Sequence, residues 1–452
     1  MRIIIVGCGK VGRTITEQLS LEGNDITVID KKSTVVHDVT NNYDVMGVVG
    51  NGASHLVQKE AGIEEADLLI AVTESDELNL LCCLIAKKAG NCSTIARVRN
   101  PMYSNEVNFI KEELGLSMTI NPECAAATEI ARILRFPSAI KIDTFAKGRV
   151  ELLKFKIEEG SMLHGCSLIE VSKTLKTDVL VCAVEREDEV MIPNGSFVLQ
   201  ANDVISIVAS PRNARDFFKK IGVETHQVKN VMIVGGGTMA YYLSKQLLSM
   251  GIDVKIVEKD KERCEVLSEL LPKAVIINGD ATNQDVLLEE GIRHCESFVS
   301  LTGIDEGNIF LSLFAKNCSK AKVVTKINRI SFDDIINKFN LGSLIYPKNI
   351  TAEYIVRYVR ALKNSIGSNV ETLYRIIENK AEALEIVIHE GASVVGVPLQ
   401  ELPLKDNILI ACINRDGKII TPNGQSEIEV GDTVIIVTTE PGIQDISDIL
   451  KR

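Results

Sequence analysis

The sequence has no apolar run that could cross a membrane. Its apolar runs are short and end at turn-forming residues, whereas a membrane-spanning helix needs roughly 20 apolar residues in a row. Met1 leads directly into a predicted core strand, which leaves no room for a signal or transit peptide. We therefore expect a chain with neither a membrane span nor a targeting leader.

Cysteine and histidine patterns typical of metal sites or of catalysis are also missing. The 11 cysteines form no CxxC pair and no histidine-spaced ligand set, and most of them lie in apolar stretches. This distribution favours reduced, buried thiols in a cytosol. The histidines do not recur at matched positions in the two halves of the chain, so we interpret them as surface or structural residues. They are His37, His55, His164, His226, His294 and His389.

An excess of positive charge is absent as well. With 50 Lys and Arg against 61 Asp and Glu, the net charge is −11, which argues against a polyanionic partner such as nucleic acid. A hydrophobic content of 45% and a charged content of 25% are those of a soluble globular protein. At 452 residues the chain is too long for one ordinary core, so we expect two to four domains.

What the sequence does contain is a glycine-rich turn at its start. An apolar strand leads into the motif Gly7-x-Gly9-x-x-Gly12, and a helical pattern follows. In a strand–turn–helix unit these glycines permit a tight turn, the close approach of a pyrophosphate and close helix packing. The helix N-terminus offers unpaired N–H groups and a partial positive charge to a phosphate. The next strand ends in Asp30, where a carboxylate would accept hydrogen bonds from the adenosine ribose.

The same unit occurs a second time. An apolar strand leads into three glycines at 235–237, with Ala240 at the third motif position, where alanine also serves. Glu258 ends the following strand at the same distance from that position as Asp30 lies from Gly12. The sequence therefore predicts two nucleotide-binding units. Both acids favour NAD over NADP, because a carboxylate disfavours a 2′-phosphate.

Further residues follow the later strands of each unit, at the sheet edge that borders the ligand crevice of an open α/β fold. In the first half these candidates are Asn51, Gly52, Ala53, Thr73, Glu74 and Arg97. Their counterparts in the second half are Gly279, Asp280, Ala281, Thr302 and Lys326.

Short alternating strands with turn signals follow each half and predict a small β-rich domain. The turn Pro-Asn-Gly at 193–195 recurs at 422–424, so the chain is a tandem duplication of a two-domain unit. We predict an α/β fold with two Rossmann-like, doubly wound parallel-sheet domains, each followed by a small α+β domain. The parallel-sheet domains are predicted over residues 1–137 and 227–363, and the small domains over residues 138–226 and 364–452.

At these residues the chain resembles the RCK (KTN) domains that regulate potassium conductance. Within that group it is most similar to the TrkA family, the NAD-binding regulatory subunits of Trk-type potassium uptake systems. The marks of the resemblance are the first glycine motif, Gly-Asp-Ala-Thr at 279–282, Thr-x-x-Asp-Glu-x-Asn at 73–79 and the β-rich lobes. The resemblance covers essentially the whole chain, in the order RCK-N, RCK-C, RCK-N, RCK-C.

The resemblance implies a cytoplasmic subunit, peripheral to the inner face of the cell membrane. Such a subunit would bind NAD(H), with ATP and ADP as regulatory ligands, and would gate a membrane-embedded Trk-type potassium transporter subunit. It would form a homo-oligomer, a dimer or tetramer with a ring of eight RCK lobes, and would have no enzymatic activity.

The motifs and the resemblance together give the candidate residues of the two sites. The first comprises Gly7, Cys8, Gly9, Lys10, Val11, Gly12, Arg13, Asp30, Asn51, Gly52, Ala53, Thr73, Glu74 and Arg97. The second comprises Gly235, Gly236, Gly237, Thr238, Met239, Glu258, Gly279, Asp280, Ala281, Thr302 and Lys326.

The second site departs from the first in its charges. Its loop carries no basic residue, whereas the first has Lys10 and Arg13. Lys326 also stands in the place of Arg97, giving a point charge instead of a bidentate fork. We therefore expect the first site to favour nucleotides with more phosphate charge.

Two other functions are compatible with nucleotide binding. One is a NAD-dependent oxidoreductase with a duplicated cofactor domain, although two small β-rich lobes leave no dedicated substrate domain. The other is a metal- or nucleotide-sensing protein that acts on a different membrane partner. The acid pairs at 76–77 and 305–306 either bind a divalent cation or cap a helix and favour its N-terminal dipole.

Overall fold

The computed structural model describes most of the chain in two compact units. The described residues are 1–90, 92–104, 106–135, 141–145, 149–187, 189–223, 228–329, 339, 341–364, 370–376, 381–440, 443 and 445–451. The parallel-sheet unit comprises Met1–Ala131 and Lys229–Val356, and the antiparallel-sheet unit comprises Arg132–Val228 and Arg357–Arg452. His226 and the predicted boundaries at 137/138 and 226/227 fall outside the described residues.

The first parallel lobe is a six-stranded sheet with helices along the connections. Its strands are β1 (Arg2–Val6), β2 (Asp25–Asp30), β3 (Met46–Val49), β4 (Leu68–Ala71), β5 (Ser93–Arg97) and β6 (Met118–Ile120). Its helices are α1 (Lys10–Leu21), α2 (Ser33–Asn42), α3 (His55–Glu60), α4 (Asp76–Ala89), α5 (Pro101–Ser104), α6 (Val107–Glu113) and α7 (Pro122–Arg135), with a 3₁₀ turn at Ile63–Glu65.

The strand order in this sheet is β3-β2-β1-β4-β5-β6, and all neighbouring strands are parallel. The chain therefore reverses its winding direction between β1 and β4, and ligands of such sheets bind at the carboxyl ends of the strands at this switch point. β4 is buried along its whole length, as expected for a parallel strand covered on both faces.

The first antiparallel lobe follows. Its strands are β7 (Lys141–Phe145), β8 (Val150–Lys156), β9 (Leu180–Arg186), β10 (Glu189–Met191) and β11 (Val204–Ala209), and its helices are α8 (Leu168–Leu175) and α9 (Pro211–Lys220). The sheet order is β10-β9-β11-β8-β7. One face carries a core of aliphatic side chains and the edge-to-face pair Phe155–Phe218, whose ring centres lie 4.9 Å apart.

The second parallel lobe repeats the first. Its strands are β12 (Asn230–Val234), β13 (Asp253–Glu258), β14 (Val275–Asn278), β15 (Ser297–Ser300), β16 (Lys322–Lys326) and β17 (Ser343–Ile345). Its helices are α10 (Thr238–Ser249), α11 (Lys261–Leu270), α12 (Gln284–Glu289), α13 (Asp305–Cys318) and α14 (Pro347–Asn364), with a 3₁₀ turn at Ile292–His294. The sheet order β14-β13-β12-β15-β16-β17 is that of the first lobe.

The second antiparallel lobe closes the described chain. Its strands are β18 (Val370–Ile376), β19 (Ala381–Val387), β20 (Ile408–Arg415), β21 (Lys418–Ile420) and β22 (Thr433–Thr438), with 3₁₀ turns at Leu399–Glu401 and Ile446–Ile449. The order is β18-β19-β22-β20-β21. Within the antiparallel-sheet unit the two lobes share one core, in which Phe145 and Leu152 of the first lobe pack with Cys412 and Ile435 of the second.

The predicted fold class is confirmed: two Rossmann-like parallel sheets and two small antiparallel lobes alternate along the chain. The two parallel lobes meet within their unit through polar contacts of α10. The Tyr242 hydroxyl donates to the Arg99 carbonyl at 3.0 Å and accepts from Asn121 Nδ2 at 3.0 Å. One turn further on, Gln246 donates to the Thr128 hydroxyl at 3.1 Å. The predicted residue boundaries of the four domains stay predictions.

Candidate nucleotide sites

The first glycine loop has the conformation that its sequence predicts. Gly7 has a φ of +99°, which favours glycine, and a Cβ on Gly12 would lie 1.9 Å from the Gly7 carbonyl oxygen. Gly12 therefore lets α1 pack against the turn. A Cβ on Gly9 would meet nothing within 4 Å, so the outer side of the loop is open. The loop has room for a group that approaches its backbone.

The start of α1 is free to bind an anion. Gly9 is its N-cap and has no side chain to occupy the first N–H groups, whereas Ser75 caps α4 by accepting from the Leu78 N–H. Lys10 is exposed at the first position of the helix. An uncapped helix start beside an open glycine turn and a lysine suits a phosphate group.

Asp30 is tied to the loop by backbone N–H groups. Its Oδ2 accepts from the Cys8 N–H at 2.8 Å, and its Oδ1 accepts from the Lys32 N–H at 3.0 Å. Each carboxylate oxygen can accept more than one hydrogen bond, so capacity for two ribose hydroxyls remains. The side chain is half-buried and fixed beside the turn.

Arg13 lies beside Cys8 in the glycine turn. Its Nε donates to the Cys8 carbonyl at 3.2 Å, and its Nη1 pairs with Asp38 on α2. Cys8 itself is buried, and burial together with the Asp30 charge raises the pKa of its thiol to about 12. Cys8 therefore contributes its backbone and its packing volume to this turn rather than a reactive thiolate.

A buried polar network holds the loop that follows β4. The Thr73 N–H and hydroxyl both donate to Asn79 Oδ1 at 2.7 Å, and Asn79 Nδ2 donates to the Arg97 carbonyl at 2.9 Å. The Arg97 side chain is only 9% exposed and donates through Nη2 to the Thr73 carbonyl. Burial lowers the pKa of this guanidinium. The Arg97 side chain thus stabilises the loop from its buried side, whereas Glu74 in the same loop is exposed.

The loop after β3 brings small residues toward the same edge. Gly52 is buried, and a Cβ there would lie 2.2 Å from Val6 Cγ1, so only glycine lets this loop cross the end of β1. Asn51 is exposed, and its side chain accepts from the Ala53 N–H at 3.1 Å. These three residues are placed next to the carboxyl ends of β1 and β2, as predicted.

The second site repeats this geometry. Gly235 has a φ of +98°, a Cβ on Gly237 would meet nothing within 4 Å, and Gly237 caps α10 with no side chain. Glu258 Oε2 accepts from the Gly236 N–H at 2.5 Å, and its Oε1 accepts from the Asp260 N–H at 2.9 Å. Of the next candidates, Thr238 is half-buried while Met239 is buried in the lobe.

The network after β15 is the counterpart of the one around Asn79. Thr302 donates through its N–H and hydroxyl to Asn308 Oδ1, and Asn308 Nδ2 donates to the Lys326 carbonyl at 3.0 Å. Lys326 Nζ donates to the Leu301 carbonyl at 2.8 Å, and burial lowers its pKa. Lys326 therefore also bonds the backbone at the end of the neighbouring strand, but at the carbonyl one residue before the duplicate of the one that Arg97 contacts.

The loop after β14 is held by a turn at Asp280. Asp280 Oδ1 accepts from both the N–H and the hydroxyl of Thr282, and these bonds lower the pKa of the carboxyl. A Cβ on Gly279 would lie 2.9 Å from Val286 Cγ1, and Ala281 is half-buried beside it. Asp280 forms the turn, and its exposed carboxylate lies at the edge shared with Glu258.

The structure also reveals a site residue that the sequence analysis missed. Arg263 on α11 donates through Nε to the Gly236 carbonyl at 2.6 Å. Gly236 is the counterpart of Cys8, so Arg263 makes the contact that Arg13 makes in the first site. The loop sequence lacks a base, but the second site does not. The only signal was an arginine five residues after Glu258, on a helix that the motif does not include.

Asp76 and Asp305, the acids considered for a cation or a helix cap, have the same role in both lobes. Asp76 Oδ2 accepts from the Arg99 and Asn100 N–H groups at 2.8 Å each. Asp305 accepts from the N–H groups of residues 328 and 329 at 2.9 and 2.6 Å. Each buried carboxylate ties the start of its helix to the end of the neighbouring strand. Within the described residues no three His, Cys, Asp or Glu side chains are grouped to hold a metal ion.

Comparison with known proteins places this geometry in a family. The TrkA-N domain model matches residues 3–122 and 231–347, and the TrkA-C domain model matches residues 152–222 and 383–451. The chain belongs to the TrkA family. The matched segments are the two parallel lobes and the two antiparallel lobes, in the predicted order.

Relatives match along the full length. The Trk system potassium uptake protein TrkA of Haemophilus influenzae is 33% identical over 97% of this chain and 96% of that protein. A TrkA homolog of Archaeoglobus fulgidus is 31% identical over 100% of both chains. The similarity to these TrkA proteins therefore extends over both halves of the chain.

Among solved structures, the GsuK channel bound to NAD is similar, with a TM-score of 0.64 and 15% identity over 97% of this chain and 77% of that one. The GsuK RCK domain gives the same TM-score with 16% identity, over 97% of this chain and 92% of that one. This likeness is one of fold. None of the helices described here combines the length and the apolar character needed to cross a bilayer.

Proposed function

We propose that the chain is the regulatory, nucleotide-binding subunit of a Trk-type potassium uptake system. TrkA proteins that match it from end to end are named as Trk system potassium uptake proteins. The proposed subunit binds nucleotides at both parallel lobes and gates a membrane-embedded transporter subunit through a conformational change. It acts in the cytoplasm, peripheral to the inner face of the cell membrane.

The observation that carries the nucleotide proposal is the pair of uncapped helices, α1 and α10. Each begins at a glycine turn with an open outer side, and each turn is flanked by a carboxylate fixed on its backbone. The pyrophosphate of NAD(H) would lie at the helix start, and Asp30 or Glu258 would accept from the ribose hydroxyls. GsuK structures have been solved with NAD and with ADP. NAD(H), ATP and ADP are therefore the proposed ligands.

Two residues of the predicted set act indirectly in this proposal. Arg97 and Lys326 are engaged with backbone carbonyls, so they shape the loops at Thr73 and Thr302 rather than reach the ligand. Lys10 and the backbone of Gly9 remain the direct phosphate contacts of the first site. Glu74 and Asn51, which are exposed at the same edge, are proposed to face the bound nucleotide.

Regulation by binding needs no chemical step. A ligand shifts a conformational equilibrium only by its differential affinity for the two states, and a change from 1:99 to 99:1 takes about 5.5 kcal/mol. A homo-oligomeric ring of RCK lobes, built from a dimer or tetramer of this chain, would share that requirement among several sites. We therefore propose a binding protein without enzymatic activity.

Calorimetric titration of the full chain with NADH, ATP and ADP tests the nucleotide proposal. Asp30→Ala should remove the first class of sites and Glu258→Ala the second, because charge-assisted hydrogen bonds of roughly 1.5–3 kcal/mol are lost. Asp25→Ala and Asp253→Ala are matched controls, since these exposed acids lie at the opposite ends of the same strands. Absence of binding by the unmodified chain would refute the proposal.

A further inference from the structure

The two nucleotide sites hold a guanidinium at the same backbone atom, but they supply it from different helices. In the first lobe Arg13 of α1 donates through Nε to the Cys8 carbonyl at 3.2 Å. In the second lobe Arg263 of α11 donates through Nε to the Gly236 carbonyl at 2.6 Å. These carbonyls belong to equivalent residues, the middle residue of each glycine turn.

The arginines are not equivalent by sequence. The duplicate of Arg13 is Tyr241, and the duplicate of Arg263 is Val35 on α2. Each copy therefore has a base at only one of these two positions, and the position differs between the copies. Both lobes place a guanidinium at this carbonyl although a different arginine supplies it, which indicates that the guanidinium is needed at this place. The carbonyl alone does not explain the need, because a loop carbonyl does not require a guanidinium for its own hydrogen bonding.

The middle residue of each glycine turn lies at the proposed adenosine end of its site. Residue 236 presents its carbonyl to Arg263 and its N–H to Glu258, the proposed ribose acceptor. In the first lobe the Cys8 carbonyl and N–H bind Arg13 and Asp30 in the same way. The guanidinium plane is thus fixed, by one nitrogen, on the same turn residue as the ribose-binding carboxylate.

The remaining guanidinium nitrogens differ between the sites. Arg13 Nη1 is paired with Asp38, whose duplicate in the second lobe is Val266. Among the described residues, the terminal nitrogens of Arg263 have no hydrogen-bond or ion-pair partner. The Nε contacts in both lobes and the Asp38 contact in the first are hydrogen bonds of guanidinium N–H groups, which point along the guanidinium plane, so none of them uses its flat face.

We propose that Arg13 and Arg263 are adenosine-recognition residues, each flanking the purine ring of its nucleotide by a cation–π contact. The proposal rests on the proposed function, since it concerns the same two sites. A contact with the purine acts equally on NADH, ADP and ATP. A contact with phosphate would instead act most strongly on ATP, the most highly charged of the three.

The test measures each site separately in the full chain. Asp30→Ala isolates the second site, and in that background Arg263→Ala should weaken NADH, ADP and ATP by the same factor, about 5- to 30-fold for a partly desolvated cation–π contact. Lys261→Ala is the matched control, because it removes an exposed cation from the same helix and should leave all three affinities unchanged. First-site binding measured in Arg263→Ala alone reports whether that variant is folded.

A rescue experiment tests whether the arginine can be supplied from either helix. In a Glu258→Ala background Arg13→Ala should weaken the first site, and adding Val35→Arg should restore it, because position 35 is the duplicate of Arg263. Lysine in place of Arg263 should not restore binding, since it lacks both the Nε donor and the plane. A loss that is largest for ATP, or a failure of Val35→Arg to rescue, would overturn the proposal. Failure of the unmodified chain to bind any nucleotide would refute the proposed function instead.

Discussion

Replacing Gly12 with alanine tests the packing of the first glycine turn most severely. The added Cβ would lie 1.9 Å from the Gly7 carbonyl oxygen, more than 1 Å inside the roughly 3.0 Å below which real Cβ contacts are essentially never found. Gly7 is held in place by its own N–H, which donates to the Ile29 carbonyl at 2.8 Å. The start of α1 must therefore move away from the turn.

We expect this movement to lower the free energy of unfolding by about 1–3 kcal/mol, the range for overpacking a well-packed site. Because the phosphate site is the helix start itself, nucleotide affinity at the first site should fall at least about tenfold, which corresponds to 1.4 kcal/mol. The second site should keep its affinity. Urea unfolding and calorimetric titration with NADH measure the two effects.

The second lobe supplies the control for this prediction. Ala240 occupies the duplicate position and is fully buried, so that lobe already accommodates the Cβ. Ala240→Gly should cost about 0.5–1 kcal/mol through helix propensity alone and leave second-site affinity intact. A Gly12→Ala chain with unmodified stability and unmodified first-site affinity would refute the packing argument.

Further predictions concern a buried hydroxyl, a buried ion pair and four buried thiols, of which that of Cys8 lies in the first glycine turn. Tyr242→Phe removes a buried hydroxyl that bonds Arg99 and Asn121, so the free energy of unfolding should fall by about 1–3 kcal/mol in urea; an unchanged midpoint would contradict this contact. Asp203→Ala removes a carboxylate that is 1% exposed and pairs bidentately with Arg186, so a loss of about 3–5 kcal/mol is expected in the same assay, and a loss below 1 kcal/mol would contradict it. Burial raises the pKa of the thiols of Cys8, Cys82, Cys182 and Cys412 to about 12. These thiols should therefore resist alkylation in the native protein at pH 8, as measured by mass spectrometry. Rapid labelling of the folded chain would contradict this. The same raised pKa values mean that the unfolded chain loses thiol protons first, so stability should fall as pH rises from about 9 to 12.

The sequence was most informative where backbone geometry dictates residue type. Gly7 needs a positive φ and Gly12 must lack a Cβ, so the motif identified the turn without any tertiary information. Asp30 and Glu258 were predictable because they end apolar strands at a fixed distance from the glycines. The duplication strengthened both inferences, since the same constraints recur in a second stretch of different sequence.

Side-chain direction was less predictable. Arg97 ends a strand at the ligand edge, and its position alone suggests a ligand contact, yet its guanidinium turns inward to the Thr73 carbonyl. Asp76 lies beside a helix start, but Ser75 provides the cap and Asp76 bonds the loop after β5. Both outcomes depend on partners distant in sequence, which spacing within one motif does not encode.

Arg263 shows the limit of reasoning from equivalent positions. The comparison of the two loops correctly found no base within the second one. It missed that Arg263 on α11 brings a guanidinium to the Gly236 carbonyl, the counterpart of the Cys8 carbonyl. The two residues are 27 positions apart in the sequence, and no local pattern predicts their contact. The expectation that the first site favours more phosphate charge stays a prediction. It now rests on Lys10, whose duplicate is Thr238, because Arg263 takes the place of Arg13 and because Arg97 and Lys326 both bond backbone carbonyls.

The central claim is that nucleotide bound to this chain controls potassium uptake. The most direct measurement is potassium influx in cells that lack their own Trk regulatory subunit and carry the Trk-type transporter subunit with this chain. The account predicts potassium uptake that depends on the chain. In the Asp30→Ala, Glu258→Ala double variant, uptake should be lost or should no longer respond to nucleotide. The Asp25→Ala, Asp253→Ala double variant should behave like the unmodified protein. Equal uptake with the unmodified chain and with the nucleotide-site double variant would contradict it.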